Sequence, residues 1–193
     1  MNPLLHNNPF YQKGHPNFRR RFCLAAFILL LSVLQNTPGL FPTFFGSKAY
    51  LLVPAVVSIA LYEKDMGGIF FGLFAGALWD IYTPGGDLHA IFLVITGFAA
   101  GSLLNNLMRA NILTNTILSA AATAAFVTAD WLRRYILGGL DSAAAFLLRY
   151  YLPSFIFTLA LSPAVFAVVF FIEQAFTKDT SVHENLEKTD FAN

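Results

Sequence analysis

The sequence predicts an all-α membrane protein of about six transmembrane helices, and three observations predict it. Of its 193 residues, 56% are hydrophobic and only 12% are charged, against roughly 25% charged in a soluble domain. The apolar residues fall in long blocks, without the half-and-half periodicity of helices that lie on a water-facing surface. Lys and Arg are distributed unevenly among the short loops between those blocks, as the positive-inside rule requires of a multi-spanning chain.

The blocks follow in order. Residues 1–21 form a polar, cytoplasmic N-terminus that closes on Arg19, Arg20 and Arg21. Phe22 to Gln35 reads as the first membrane helix. A cleaved signal peptide is the competing reading, opposed by the lack of a small-x-small cleavage site and by the apolar blocks that follow. The second block, "KAYLLVPAVVSIALYEK", has an apolar run from Tyr50 to Tyr62 only. That is short of the roughly 20 residues a spanning helix needs, and Pro54 interrupts it. It predicts either a short broken helix or a re-entrant piece. "MGGIFFGLFAGALWDIY" and "LHAIFLVITGFAAGSLLNNL" are the third and fourth blocks. "ILTNTILSAAATAAFVTADWLRRYIL" is the fifth, and the sixth carries Pro153 and Pro163. The helical domain thus spans 22–176, and 177–193 is a charged cytoplasmic tail with a disordered composition.

With six spans and the N-terminus inside, eight Lys and Arg lie inside and four outside. A second block that does not span changes the count to seven against five, so six spans are favoured.

Gly68, Gly72, Gly76 and Asp80 recur at every fourth position of the third block, and Gly97 and Gly101 form a matching pair in the fourth. Helices in lipid associate by close backbone approach, which small residues at i and i+4 permit. Counting outward from Gly85 pairs Gly72 with Gly97 and Gly68 with Gly101. The two blocks therefore form an antiparallel hairpin with room for Ala but nothing larger at Gly72. Gly76, above the paired glycines, is left for a partner helix. Asp87 is a plausible N-cap for the fourth block. Asp80 and Asp130 are intramembrane acids near the outer ends of their helices, and such acids are functional candidates by default. Asp130 has Arg133 and Arg134 at the spacing of a local helical ion pair. Asp80 has no such neighbour apart from Asp87 and His89 around the turn, which favours a paired or interhelical role. Trp79 and Trp131 suit an interfacial aromatic belt.

A search for chemistry favours a non-enzyme. His6, His15, His89 and His183 lie apart, without metal-ligand spacing, and a single cysteine, Cys23, excludes a disulfide within the chain. Ser119, Ser142 and Ser154 have no visible base, and no phosphate-binding Gly-Lys-Ser/Thr loop exists. A net charge of +1 suggests no nucleic-acid partner.

"GGIFFGLFAGALWDIYTPGGDLHAIFLVITGFAAG" resembles the signature of the rod shape-determining membrane protein family MreD. "FVTADWLRRY" resembles that family's later Asp-containing helix, and "LSPAVFAVVFF" its last span. The likeness covers about residues 22 to 175. It implies a cofactor-free, non-enzymatic, multi-pass subunit of the cell-elongation machinery in a bacterial cytoplasmic membrane. Such a subunit would bind the scaffold MreC and work beside MreB, RodA and its transpeptidase. The family is similar in fold to the six-helix substrate-binding S components of energy-coupling-factor vitamin transporters. The alternative is accordingly a transporter component whose Asp80 and Asp130 line a pocket for a small polar ligand. The long polar N-terminus and the charged tail depart from the family pattern.

Overall fold

The structure is a computed structural model that describes residues 18–40, 42, 47–83, 89–106, 111–133 and 147–190, with only the backbone described at 64, 104–106 and 177–190. Five helices account for nearly all of it: α1 (Phe18–Asn36), α2 (Leu52–Tyr82), α3 (His89–Asn106), α4 (Ile112–Trp131) and α5 (Leu152–Asp190), the last preceded by a π-helical turn, Leu147–Tyr151.

Helix α2 joins the second and third apolar blocks, but it is not a straight rod. Thirty-one helical residues would extend about 46 Å. Instead the rings of Tyr50 and Trp79, which bracket most of the helix, lie 5.8 Å apart. A Cβ added at Gly68 would come within 3.1 Å of Ala60 Cβ, eight residues earlier. The helical backbone therefore doubles back between Glu63 and Gly67. At Gly67 a Cβ would overlap the Glu63 side chain, so glycine is required where the chain reverses. The result is two antiparallel arms, the first of them the short apolar helix Leu52–Glu63.

That first arm is the axis of the molecule. Leu52, Val53, Ala55, Val56, Val57, Ile59 and Ala60 are all fully buried, as befits a helix that is apolar all round. The expected short helix is found, but the expected break at Pro54 is not. Pro54 falls in the first turn, where its missing N–H costs no helical bond, and the arm is short because it is enclosed by its neighbours. Tyr62 stacks on Phe166 of α5, Ser58 bonds Asn115 of α4, and Val56 reaches Gly97 of α3.

The contacts give the direction of every rod. Gln35, at the end of α1, meets Leu52, whereas Arg20, at its start, meets Glu63. Gly68 meets Gly97 and Gly76 meets Ala90, so the second arm and α3 are antiparallel. Helix α5 begins with Thr158 near Tyr50 and reaches Glu173 beside Arg20. Six helical rods thus alternate in direction between an Arg20 end and an Asp80 end. By length and composition, Ile112–Trp131 and Leu147–Phe176 are long and apolar enough to cross a membrane. The outer surface is apolar as well, with Phe70, Leu73, Ile91, Ile95, Ile117 and Phe171 exposed.

Two boundaries differ from the sequence reading. Arg19, Arg20 and Arg21 belong to the first turn of α1, where the charges of Arg20 and Arg21 meet acids of other helices and so gain by being ordered. The backbone of α5 continues as helix to Asp190 through a stretch read as disordered, which is rich in the good helix formers Glu, Lys and Leu.

The register of the hairpin also differs. Gly72 faces Leu93 and Gly68 faces Gly97, one helical turn from the pairing counted from Gly85. Gly101 is buried one turn further along α3. Nor is Gly76 left over for a partner, because a Cβ there would overlap Ala90. The atoms that a Cβ at Gly68, Gly72, Gly76 or Gly97 would meet within 3.0 Å are all backbone, so no room exists even for Ala. Gly72→Ala and Gly76→Ala should each destabilise the detergent-solubilised protein by about 1–3 kcal/mol, the cost of overpacking, less up to about 1 kcal/mol of helix propensity. Thermal unfolding followed by circular dichroism checks this, and unchanged midpoints would contradict the register.

Candidate functional site

The site residues marked by the sequence gather in the hairpin and at the Asp80 end. The glycines bring two backbones together, and Asp80 fixes how far along they meet. Its Oδ1 accepts the His89 backbone N–H at 3.0 Å and its Oδ2 accepts the Ala90 N–H at 3.1 Å. These are two of the four donors that a helix start leaves without internal partners. The carboxylate of one helix thus caps the next, helped by the positive end of the α3 dipole. This accounts for the one-turn shift, since α3 begins level with Asp80 and the last turn of α2 runs beyond it.

His89 completes the corner. Its Nδ1 lies 2.8 Å from Asp80 Oδ1. Its ring stacks on Trp79 with centroids 4.4 Å apart and planes 12° apart. Phe126 of α4 closes on Trp79 at 5.1 Å and on Tyr50 at 5.1 Å. Trp79 is only 6% exposed, so it belongs to the core of this end and not to an interfacial belt.

Asp130 lies at the same end. Arg133 reaches its Oδ1 at 3.3 Å, the local pair that the spacing suggests, and the Tyr151 hydroxyl donates to its Oδ2 at 2.7 Å. Asp80 and Asp130 therefore hold separate sets of partners. Expectations resting on Asp87, Arg109 and Arg134 lie outside the described residues.

Two polar groupings went unnoticed in the sequence. At the Arg20 end, Arg20 bridges Glu63 and Glu173, the latter at 2.7 Å, and Arg21 also reaches Glu63 at 3.1 Å. The side chains of Glu63 and Glu173 are 1% and 9% exposed. The network ties α1, the reversal of α2 and α5 together. Its signal was Glu173, a carboxylate inside an apolar run that demands a cation from elsewhere. The second grouping crosses the core, where the Ser58 hydroxyl lies 2.9 Å from Asn115 Oδ1 and the Asn115 amide donates to Ser162 at 3.2 Å. Asn115, Ser119 and Thr123, all buried, share one face of α4 at i, i+4 and i+8.

Between α3 and α4 a cavity of about 250 Å³ opens over Val57, walled by Ala99, Ala100, Ala121, Ala122 and Ala125, with Thr96 as its polar residue. Among the described residues, no three His, Cys, Asp or Glu side chains group as they would to hold a metal ion. No family model, curated protein or solved structure matches the chain.

Breaking a buried ion pair by removing one partner costs about 3–5 kcal/mol when burial is complete. Arg20 is 25% exposed, so Arg20→Met should cost less, roughly 2 kcal/mol. Adding Glu173→Gln should recover part of that loss. A double-mutant cycle on thermal stability measures the coupling, and strict additivity would contradict the network. At the other end, Asp80→Leu removes both capping bonds and should cost about 1–2 kcal/mol, with Asp80→Asn intermediate. Equal midpoints for all three proteins would refute the cap.

Proposed function

We propose that the chain is a membrane-embedded, non-enzymatic helical subunit with six spans and its N-terminus on the cytoplasmic side. More particularly, we propose an MreD-type subunit of the bacterial cell-elongation machinery that binds MreC and supports peptidoglycan synthesis beside MreB, RodA and its transpeptidase. Support for the first step comes from the alternating rods, the apolar exterior and the cluster Arg19, Arg20 and Arg21 in the first turn of α1.

One observation carries the second step. The segment that resembles the family, Gly67 to Gly101, is a backbone-contact hairpin in which Gly68, Gly72, Gly76 and Gly97 face backbone atoms and Asp80 caps the helix that follows. The motif is then a structural device, and this suits a protein whose work is to present a rigid surface.

The transporter reading lacks comparable support. Asp80 and Asp130 both hold internal partners, and the α3–α4 cavity is almost wholly apolar, which suits a helix better than a polar vitamin.

With Gly76 occupied by Ala90, the α3–α4 groove becomes the surface on which we place a partner helix, because its alanines permit close approach. The full chain should co-purify with MreC from membranes. Ala121→Leu, at an exposed wall of the groove, should reduce recovery of MreC several-fold while leaving thermal stability unchanged. Failure of the unaltered chain to retain MreC, or a midpoint raised by several degrees by a vitamin, would refute the elongation reading. Intact recovery with Ala121→Leu would refute only the placement.

A further inference from the structure

Arg19, Arg20 and Arg21 are adjacent in sequence but not in circumstance. Arg20 and Arg21 pair with Glu63, and Arg20 also with Glu173. Arg19 is exposed and has no hydrogen bond or ion pair among the described residues. It stands at the rim of an apolar slot of about 330 Å³ between α1 and α5, lined by Phe18, Phe22, Cys23 and Phe176. Phe18 and Phe22 are 80% and 65% exposed, so the slot opens to the surroundings of the bundle.

A second groove, of about 440 Å³, lies on the opposite flank of Phe18 and Phe22. It is apolar too, but its cation is Arg21 and it also contains Glu63, which pairs with that arginine. Its rim is neutralised, whereas the rim at Arg19 keeps its full charge.

We propose that the Arg19 slot holds an anionic phospholipid, with an acyl chain against Phe18, Phe22, Cys23 and Phe176 and the phosphate on the Arg19 guanidinium. The inference rests on the membrane reading given above. The complementarity is of two kinds at once. A guanidinium presents a planar fork of donors that matches phosphate oxygens bidentately, and the slot below it offers only apolar surface and a thiol. Free phosphate satisfies the first requirement and an uncharged detergent the second, whereas a phospholipid satisfies both. Position agrees, because Arg19 lies in the first turn of α1, at the level where a lipid phosphate meets the start of a helix entering from the positively charged side.

The test is native mass spectrometry of the full chain released from detergent, after equilibration with equal amounts of phosphatidylglycerol and phosphatidylcholine. The unaltered protein should carry a phosphatidylglycerol adduct that inorganic phosphate does not displace. Arg19→Gln should lower that adduct about tenfold, in line with the loss of a hydrogen-bonded charge contact, with thermal stability unchanged. Arg19→Lys should fall between the two, since the charge remains while the bidentate fork is lost. Equal retention of the two lipids, or an undiminished adduct in Arg19→Gln, would overturn the proposal while leaving the membrane reading intact. Displacement by inorganic phosphate would overturn it in favour of an adventitious anion site. Recovery of the unaltered chain in the soluble fraction without detergent would overturn both.

Discussion

Everything in this molecule is arranged around the full burial of one short helix, the Leu52–Glu63 arm. Where the end of an enclosed helix is buried, an unmet backbone donor or a bare charge would cost several kcal/mol. Each end is met by a neighbour. The Gln35 side chain, from α1, accepts the Leu52 N–H at 3.1 Å, and Thr158 of α5 accepts the Tyr50 N–H at 2.8 Å. At the other end Arg20 and Arg21 take up the charge of Glu63. Midway, Ser58 is held by the Pro54 carbonyl and Asn115. The polar groups of the interior thus serve as joints between this arm and its surroundings.

The hairpin is the same principle applied to close packing. Contact between its two helices comes from backbone on backbone, which small residues permit. Glycines at Gly68, Gly72 and Gly97 provide it, and the Asp80 carboxylate sets the register by binding the first N–H groups of α3. This division of labour leaves the two acids at the Asp80 end as structural parts. The α3–α4 groove and the flanks of α1 remain as open apolar surfaces.

Much of this was legible in the sequence, and the gaps have physical causes. The apolar blocks, the hairpin of the third and fourth, and the Asp130–Arg133 pair follow from periodicity and short-range spacing. The one-turn register shift could not be counted from Gly85, because it depends on a side chain reaching across the turn. The length of the second block's apolar run does not signal its central position, because the thickness of a bilayer sets no length for a helix enclosed by its neighbours. Glu63 and Glu173 lie 43 and 153 residues from Arg20, and no local pattern joins them. Glu173 alone announced that a cation was needed.

The most direct measurement is the distance between the two ends of α2. Spin labels at Lys48 and Tyr82, both exposed, in a Cys23→Ser background, would report it by pulsed electron resonance. Arms folded back at Glu63–Gly67 bring Tyr50 and Trp79 into ring contact at 5.8 Å, so the label distance should centre below about 25 Å. A continuous helix over Leu52–Tyr82 would place the labels about 45 Å or more apart, and that result would contradict the enclosed arm and the bundle built around it.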